Sequence, residues 1–257
     1  MKAIILAGGM GTRLSEETLI KPKPMIEIGS RPILWHIMKI YSFYGINEFI
    51  ICCGYKGFQI KQYFANYWIN ENDITCHIDQ KKIEIHETKT ESWKVTLIDT
   101  GESTETGGRL KRIAKYLNDE DVCMTYGDGL SDVNISELIK FHFAHNLPAT
   151  ITSVRPQARF GALKIGADGT TVEKFNEKPI SEGGRINGGF FILNSRVFDE
   201  IDSDETKWEQ EPLVKLAQQK KLKAFTHNGF WHPMDTLRDK NYLNTLWNEN
   251  RAPWKIW

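Results

Sequence analysis

Met1-Lys2-Ala3-Ile4-Ile5-Leu6-Ala7-Gly8-Gly9-Met10-Gly11-Thr12-Arg13-Leu14 opens the chain. The apolar run from Ala3 to Ala7 is unbroken and stops at glycine, which suits a short strand buried on both faces, as in parallel sheets. Three glycines then let the main chain approach an anion closely and present successive N–H groups to it. Arg13 adds a planar, permanently charged fork. Two better-known phosphate loops do not fit. The P-loop needs G-K-[ST], and the chain contains no Gly-Lys dipeptide. The dinucleotide fingerprint needs G-x-G-x-x-G, whereas Gly9-Met10-Gly11-Thr12-Arg13 is followed by Leu14. On the loop alone, a tight strand-to-helix turn that holds nothing is the other reading.

Outward from that loop the pattern alternates. Ile33, Leu34, Ile37, Ile40 and Tyr41 recur at helical spacing after Pro32 and predict a helix from Pro32 to Tyr44. Phe49 to Cys53, ending at Gly54, repeats the strand signal, and Phe58 to Trp68 reads as another helix. This βαβα order predicts a parallel sheet covered by helices. Residues 74–78, 82–86 and 93–98 alternate in period two and predict a small antiparallel insertion. A helix near 108–117, a strand over 122–126, a helix over 135–145 and a strand over 149–154 resume the α/β order. Strands near 161–165, 171–176 and 186–193, a helix near 212–220 and a closing helix from about Thr236 to Asn250 make the second half mixed. The expected architecture is one α/β domain with a Rossmann-like, mixed but mostly parallel sheet flanked by helices and carrying small antiparallel β insertions.

Composition narrows the function. The 257 residues carry 33 basic and 33 acidic side chains, a formal net charge of zero, so a general nucleic-acid binder is not expected. No stretch of 18 apolar residues occurs, and the N-terminal apolar run is too short for a signal peptide, which predicts a soluble cytoplasmic protein with no membrane partner. The four cysteines, Cys52, Cys53, Cys76 and Cys123, form no C-x-x-C and no zinc spacing and read as buried free thiols. His36 and His227 fit core or surface roles better than metal ligation. Trp247, Trp254 and Trp257 sit in no motif and suit packing or a subunit contact.

Lys21-Pro22-Lys23-Pro24-Met25 sets two lysines between prolines that hold the chain extended. With it, the series L-A-G-G-x-G-T-R-L, K-P-K-P-M and G-x-[RK]-P-I resembles the signature of the sugar-1-phosphate nucleotidylyltransferases. The resemblance continues in the family's order through Val122-Cys-Met-Thr-Tyr-Gly-Asp128-Gly, Phe175-Asn-Glu-Lys178-Pro179, Ile186-Asn187-Gly188-Gly189-Phe190-Phe191 and Trp231-His-Pro-Met-Asp235-Thr236. It covers residues 4 to about 238. It implies the nucleotide-diphospho-sugar transferase fold, with residues 1–135 as a nucleotide-binding half, 136–240 as a sugar-phosphate-binding half and 241–257 as a C-terminal tail. Leu14-Ser-Glu-Glu-Thr18, Pro32-Ile-Leu-Trp-His-Ile-Met-Lys-Ile-Tyr41 and the Trp-His-Pro-Met-Asp-Thr ending resemble the branch that uses CTP and glucose 1-phosphate. That branch feeds surface-polysaccharide synthesis, and family members are usually homo-oligomers.

The implied reaction joins two polyanions with loss of pyrophosphate, so positioning and charge neutralisation outweigh acid–base chemistry. Leu6, Ala7, Gly8, Gly9, Met10, Gly11, Thr12 and Arg13 are the expected nucleotide loop, with Arg13 stabilising the leaving group. Lys23 matches the family lysine on the nucleotide phosphates, and Lys178 the one on the sugar phosphate. Asp128 and Asp235 would hold Mg²⁺, since paired carboxylates and phosphates make a hard oxygen site. Asp235 alone could equally be a helix N-cap, and Asp132 reads as a loop or cap residue. Thr104 and Arg109 offer hydrogen bonds to a pyrimidine edge. Glu177, Asn187 and Gly188 resemble the hexose contacts, while Tyr126 and Trp231 could pack on substrate or belong to the core. The rivals are the same chemistry with UTP or dTTP, and a non-catalytic nucleotide-sugar-binding subunit. The latter would be expected to lack Arg13, Lys23 or one of the two aspartates.

Overall fold

The computed structural model describes residues 1–11, 14–86, 90–156, 162–165, 167, 170–176 and 184–257. In chain order the strands are β1 (Ala3–Ala7), β2 (Glu27–Ile28), β3 (Arg31–Pro32), β4 (Glu48–Cys53), β5 (Ile74–His77), β6 (Lys82–Ile85), β7 (Lys94–Asp99), β8 (Asp121–Tyr126), β9 (Gly129–Ser131), β10 (Ala149–Val154), β11 (Ala162–Ile165), β12 (Val172–Asn176), β13 (Ile186–Asn194), β14 (Leu222–Thr226) and β15 (Trp231–Pro233). The helices are α1 (Ser15–Thr18), α2 (Ile33–Phe43), α3 (Gly57–Ala65), α4 (Tyr67–Asn70), α5 (Thr106–Ile113), α6 (Ile135–His145), α7 (Glu211–Gln218) and α8 (Leu237–Asn248).

Among the described residues, seven strands make the main sheet, in the order β14-β10-β13-β8-β1-β4-β7. β8, β1, β4 and β7 pair in parallel, as do β10 and β14, while β13 pairs antiparallel with both neighbours and so alone runs the other way. The uninterrupted apolar runs are explained by two-sided burial. Along β1, Ala3, Ile5 and Ala7 enter one core and Ile4 and Leu6 the other. β4 divides the same way, Phe49, Ile51 and Cys53 against Ile50 and Cys52. One core takes α2 through Ile33, Leu34, Ile37 and Ile40; the other takes α5 through Leu110 and Ile113 together with Trp208. Each fully buried aliphatic side chain contributes about 1.5–3 kcal/mol.

Two expectations change. The segment 93–98 is not the third strand of an antiparallel insertion: β7 pairs in parallel with β4 and forms the sheet's edge, Phe49 opposite Val95 and Ile51 opposite Leu97. Alternation announces a strand but carries no information about its partner or direction. Only β5 and β6 pair antiparallel as the insertion, Thr75 opposite Glu84. Cys76, on β5, is exposed, unlike the buried Cys52, Cys53 and Cys123.

The last residues belong to the core. Trp254 is fully buried and Trp247 stacks on it, with ring centroids 6.4 Å apart. Trp247, Trp254 and Trp257 close around His36 of α2. The Trp254 indole N–H donates to His36 Nδ1 over 3.4 Å, so His36 keeps its own proton on Nε2 and donates it to the Ile28 carbonyl at 2.9 Å. Burial pushes the His36 pKa down to about 4. Among the described residues, no helix is long and apolar enough to cross a membrane.

Candidate active site

A cavity of ≈ 540 Å³ opens at the carboxyl ends of β1 and β8, where open α/β sheets bind ligands. Leu6, Ala7, Gly8, Gly9 and Gly11 line one side of it; Met10 is half exposed and not part of that lining. Thr12 and Arg13 lie outside the described residues. Gly11 adopts φ +63°, and a Cβ there would meet Thr18 Cγ2 at 2.8 Å and Lys23 Cβ at 3.2 Å. This position therefore requires glycine twice over, for its conformation and for the approach of Lys23.

Lys23 begins a 3-10 turn over Lys23–Met25, entered from extended Pro22 and closed by the Met25 N–H on the Pro22 carbonyl at 2.8 Å. Proline fixes φ on both sides of the lysine and settles where its side chain starts. The ammonium ends between two carboxylates, 2.6 Å from Asp128 Oδ2 and 2.8 Å from Asp235 Oδ1. Burial works against the charged lysine, but Asp128 and Asp235 outweigh it and raise its pKa above the usual lysine value.

Lys23 is separated from these partners by 105 and 212 residues. Asp128 follows β8 directly. The short antiparallel ribbon of β9 and β15 sets Pro233 opposite Gly129, and the Met234 N–H donates to the Asp128 carbonyl at 2.8 Å. One residue further on is Asp235. The N-cap of α8 is Thr236, whose hydroxyl accepts from the Asp239 N–H in a reciprocal capping box. Asp235 is thus not the cap, and its carboxylate faces Lys23.

The structure gives Arg109 a task the sequence did not suggest. Its guanidinium lies under the glycine loop, buried. Nη1 donates to Gly101 O at 2.7 Å and Thr100 Oγ1 at 2.8 Å, and Nη2 to Gly8 O at 3.0 Å. Longer contacts of 3.3 Å reach Cys53 O and Glu102 O. One side chain therefore ties together the loops that follow β1 and β7 and the last residue of β4. A Cβ at Gly8 would lie 2.1 Å from Arg109 Nη1. Thr104 is buried and lines the cavity. Three N–H groups at the start of α5 are already taken: Glu105 donates to Asp204 O, and Gly107 and Gly108 donate to Thr206 O.

On the far wall, Asn187 and Gly188 line the cavity with Tyr126 and Trp231. Asn187 Oδ1 accepts the Gly189 N–H at 2.8 Å, and its Nδ2 donates to Tyr126 Oη at 3.2 Å. The Trp231 indole donates to Gly188 O at 2.7 Å. A Cβ on Gly188 would meet Val154 Cγ1 at 2.7 Å, so glycine there serves the packing against β10. Tyr126 in turn donates to Glu209 Oε1 at 2.6 Å, while Thr106 donates to Glu209 Oε2 at 2.6 Å. Glu209 carried no sequence signal: it lies on a loop outside any motif, and only tertiary contact brings it to Tyr126. Glu177 and Lys178 lie outside the described residues. Asp132 sits beside His227, Oδ1 to Nε2 2.9 Å, away from the Asp128 carboxylate.

The model of the nucleotidyl transferase family matches residues 2–239. The chain belongs to that family. Glucose-1-phosphate cytidylyltransferase of Salmonella typhimurium is 59% identical over 258 aligned residues, covering 100% of both chains. A probable glucose-1-phosphate cytidylyltransferase of Bacillus subtilis is 43% identical with the same coverage. Among solved structures, HddC of Yersinia pseudotuberculosis superposes with a TM-score of 0.69 at 24% identity, covering 96% of this chain and 99% of that one. That likeness shows the shared fold. This nucleotidyltransferase is an enzyme of the transferase class, built on a mixed, mostly parallel sheet flanked by helices.

Proposed function

We propose that this nucleotidyltransferase transfers the cytidylyl group of CTP to α-D-glucose 1-phosphate, releasing pyrophosphate and forming CDP-glucose. The observation that carries the reading is the meeting of Lys23, Asp128 and Asp235 beside the glycine loop. The choice of CTP and glucose 1-phosphate rests on the full-length identity of 59% to a glucose-1-phosphate cytidylyltransferase.

In the proposed reaction an oxygen of the sugar phosphate attacks the α-phosphorus of CTP in line. A new P–O bond forms as the bond to the β-phosphate oxygen breaks, and pyrophosphate leaves with that electron pair. The attacking oxygen is already ionised at neutral pH, so the enzyme needs no general base. Its residues hold two polyanions together and neutralise them. Gly8, Gly9 and Gly11 give the phosphates access to main-chain N–H groups, and Arg13 and Lys23 supply positive charge. Arg109 keeps the loop in shape from below, leaving the Thr104 hydroxyl as the side-chain candidate for reading the base. Lys178 holds the sugar phosphate, with Glu177 and Asn187 on the hexose hydroxyls. On this scheme residues 1–135 serve the nucleotide and 136–240 the sugar phosphate, with Asp235 reaching back.

The pair Asp128 and Asp235 fits a divalent cation, because hard carboxylate oxygens from two segments already converge on one positive charge, the Lys23 ammonium. When bound there, Mg²⁺ would offset charge on the phosphates. The enzyme's setting is proposed as the cytoplasm, where the buried free thiols of Cys52, Cys53 and Cys123 suit a reducing milieu. Ile78 and Ile83 remain exposed on and beside the β5–β6 hairpin, and self-association into homo-oligomers would cover such surface.

The test is pyrophosphate release with glucose 1-phosphate, Mg²⁺ and each of CTP, UTP, dTTP, ATP and GTP. CTP should be turned over fastest. Faster release with UTP or dTTP would overturn the cytidylyl assignment, and no release with any nucleotide would favour a non-catalytic sugar-nucleotide-binding protein.

A further inference from the structure

We propose that Lys23 guards the two-carboxylate site: before substrate arrives its ammonium takes the place of the divalent cation, which therefore enters with the nucleotide and not ahead of it. The proposal rests on the metal site offered above and adds an order of events to it.

The geometry is one of mutual exclusion. Lys23 Nζ lies 2.6 Å from Asp128 Oδ2 and 2.8 Å from Asp235 Oδ1, so it sits at the point from which both carboxylates can be reached at once. A magnesium ion held by those same oxygens needs distances of roughly 2.0–2.1 Å and would overlap the ammonium. The two cations also repel one another at such short range, although the Asp128 carboxylate, 33% exposed against 11% for Lys23 and 13% for Asp235, keeps one side of the site open to the cavity.

The pairing serves the protein itself as well. Two carboxylates facing each other at a partly buried position would be left uncompensated without a cation, and the lysine supplies one until nucleotide arrives. Its backbone is held by the 3-10 turn and by Gly11 at its Cβ, but its four-carbon stem ends in a compact point charge that can be re-aimed without moving the main chain. The glycine loop borders the same cavity. Nucleotide phosphates arriving there offer the ammonium new oxygen partners. They also bring a chelated cation to the carboxylates that Lys23 vacates. One exchange thus ties cation entry to nucleotide entry.

The experiment measures Mn²⁺ binding without nucleotide, by the electron paramagnetic resonance signal of free Mn²⁺, for wild type, Lys23→Met, Lys23→Arg, Asp235→Asn and the double variant Lys23→Met with Asp235→Asn. Lys23→Met should bind Mn²⁺ at least tenfold more tightly than wild type. Lys23→Arg, which keeps the charge, should stay as weak as wild type, and the double variant should lose the gain. Lys23→Gln replaces Lys23→Met if circular dichroism shows that the latter does not fold. Equal Mn²⁺ affinity in wild type and Lys23→Met, with Asp235→Asn weakening both, would overturn the guarding role and leave the metal site standing. Mn²⁺ binding indifferent to Asp235→Asn in every background would overturn the metal site and the guard together.

Discussion

Arg109→Ala discriminates between a residue that reads the base and one that holds the loop. The structure assigns three short hydrogen bonds to this guanidinium, to Gly101 O, Thr100 Oγ1 and Gly8 O, at 2.7, 2.8 and 3.0 Å. Bonds from a charged donor contribute about 1.5 kcal/mol each at the lower end of their range. Removing all three, with some repair by water entering the gap, should cost about 3–5 kcal/mol. In a chain of this length that lowers the melting temperature by roughly 10 °C. The acceptors left behind belong to the glycine loop and to the loop after β7, so KM for CTP should rise as well. Arg109→Lys, which keeps the charge but not the fork, should recover only part of the stability. Urea and thermal unfolding of the three proteins give the stabilities, and pyrophosphate release with CTP and UTP gives the selectivity. A variant that melts with wild type while losing its preference for CTP over UTP would refute the reasoning and return Arg109 to the base.

His36 should make stability pH-dependent. Its folded pKa, pulled down to about 4 by burial, lies below the unfolded value of about 6.5, so the unfolded chain binds the extra proton first and stability falls as pH drops from 6.5 through 4. Between pH 7 and 5 the loss amounts to about 2 kcal/mol. His36→Gln keeps an N–H for Ile28 O and should remove that increment, as read by urea titration at both pH values; parallel curves for the two proteins would count against it. Gly11→Ala forces a side chain into φ +63° and against Thr18 and Lys23. It should cost about 1–3 kcal/mol and raise KM for CTP by displacing Lys23, and unchanged kinetics would show that the loop tolerates the shift.

Much of the fold was legible because its signals are local. Ala3–Ala7 and Phe49–Cys53 announced buried strands through unbroken apolar runs, and α2 through helical spacing after Pro32. Pairing was less legible, since it is decided between distant segments. Period-two alternation in 93–98 foretold a strand, but parallel pairing with β4 is fixed by the crossover and by the space beside Phe49 and Ile51. The C-terminal tryptophans named large apolar side chains without a destination; the open face of α2 around His36 supplied it.

The same division runs through the candidate site. The order of residues alone determined the glycine loop after β1, the lysine between two prolines and an aspartate at the end of a buried strand, because each needs only its neighbours. That Lys23 starts a 3-10 turn and is not extended was settled by the fold. Tertiary structure decided what those pieces do to one another. The β9–β15 ribbon, and no local signal, sets Asp235 beside Asp128, and the Thr236 cap leaves the Asp235 carboxylate for Lys23. In the sequence Arg109 read as a hydrogen-bond donor for a pyrimidine edge. Only the convergence of the loops after β1 and β7 over it satisfies its donors and makes it the support of the glycine loop. Hydrogen bonds and ion pairs act over a few ångströms, so partners 105 and 212 residues apart can be settled only by the folded chain.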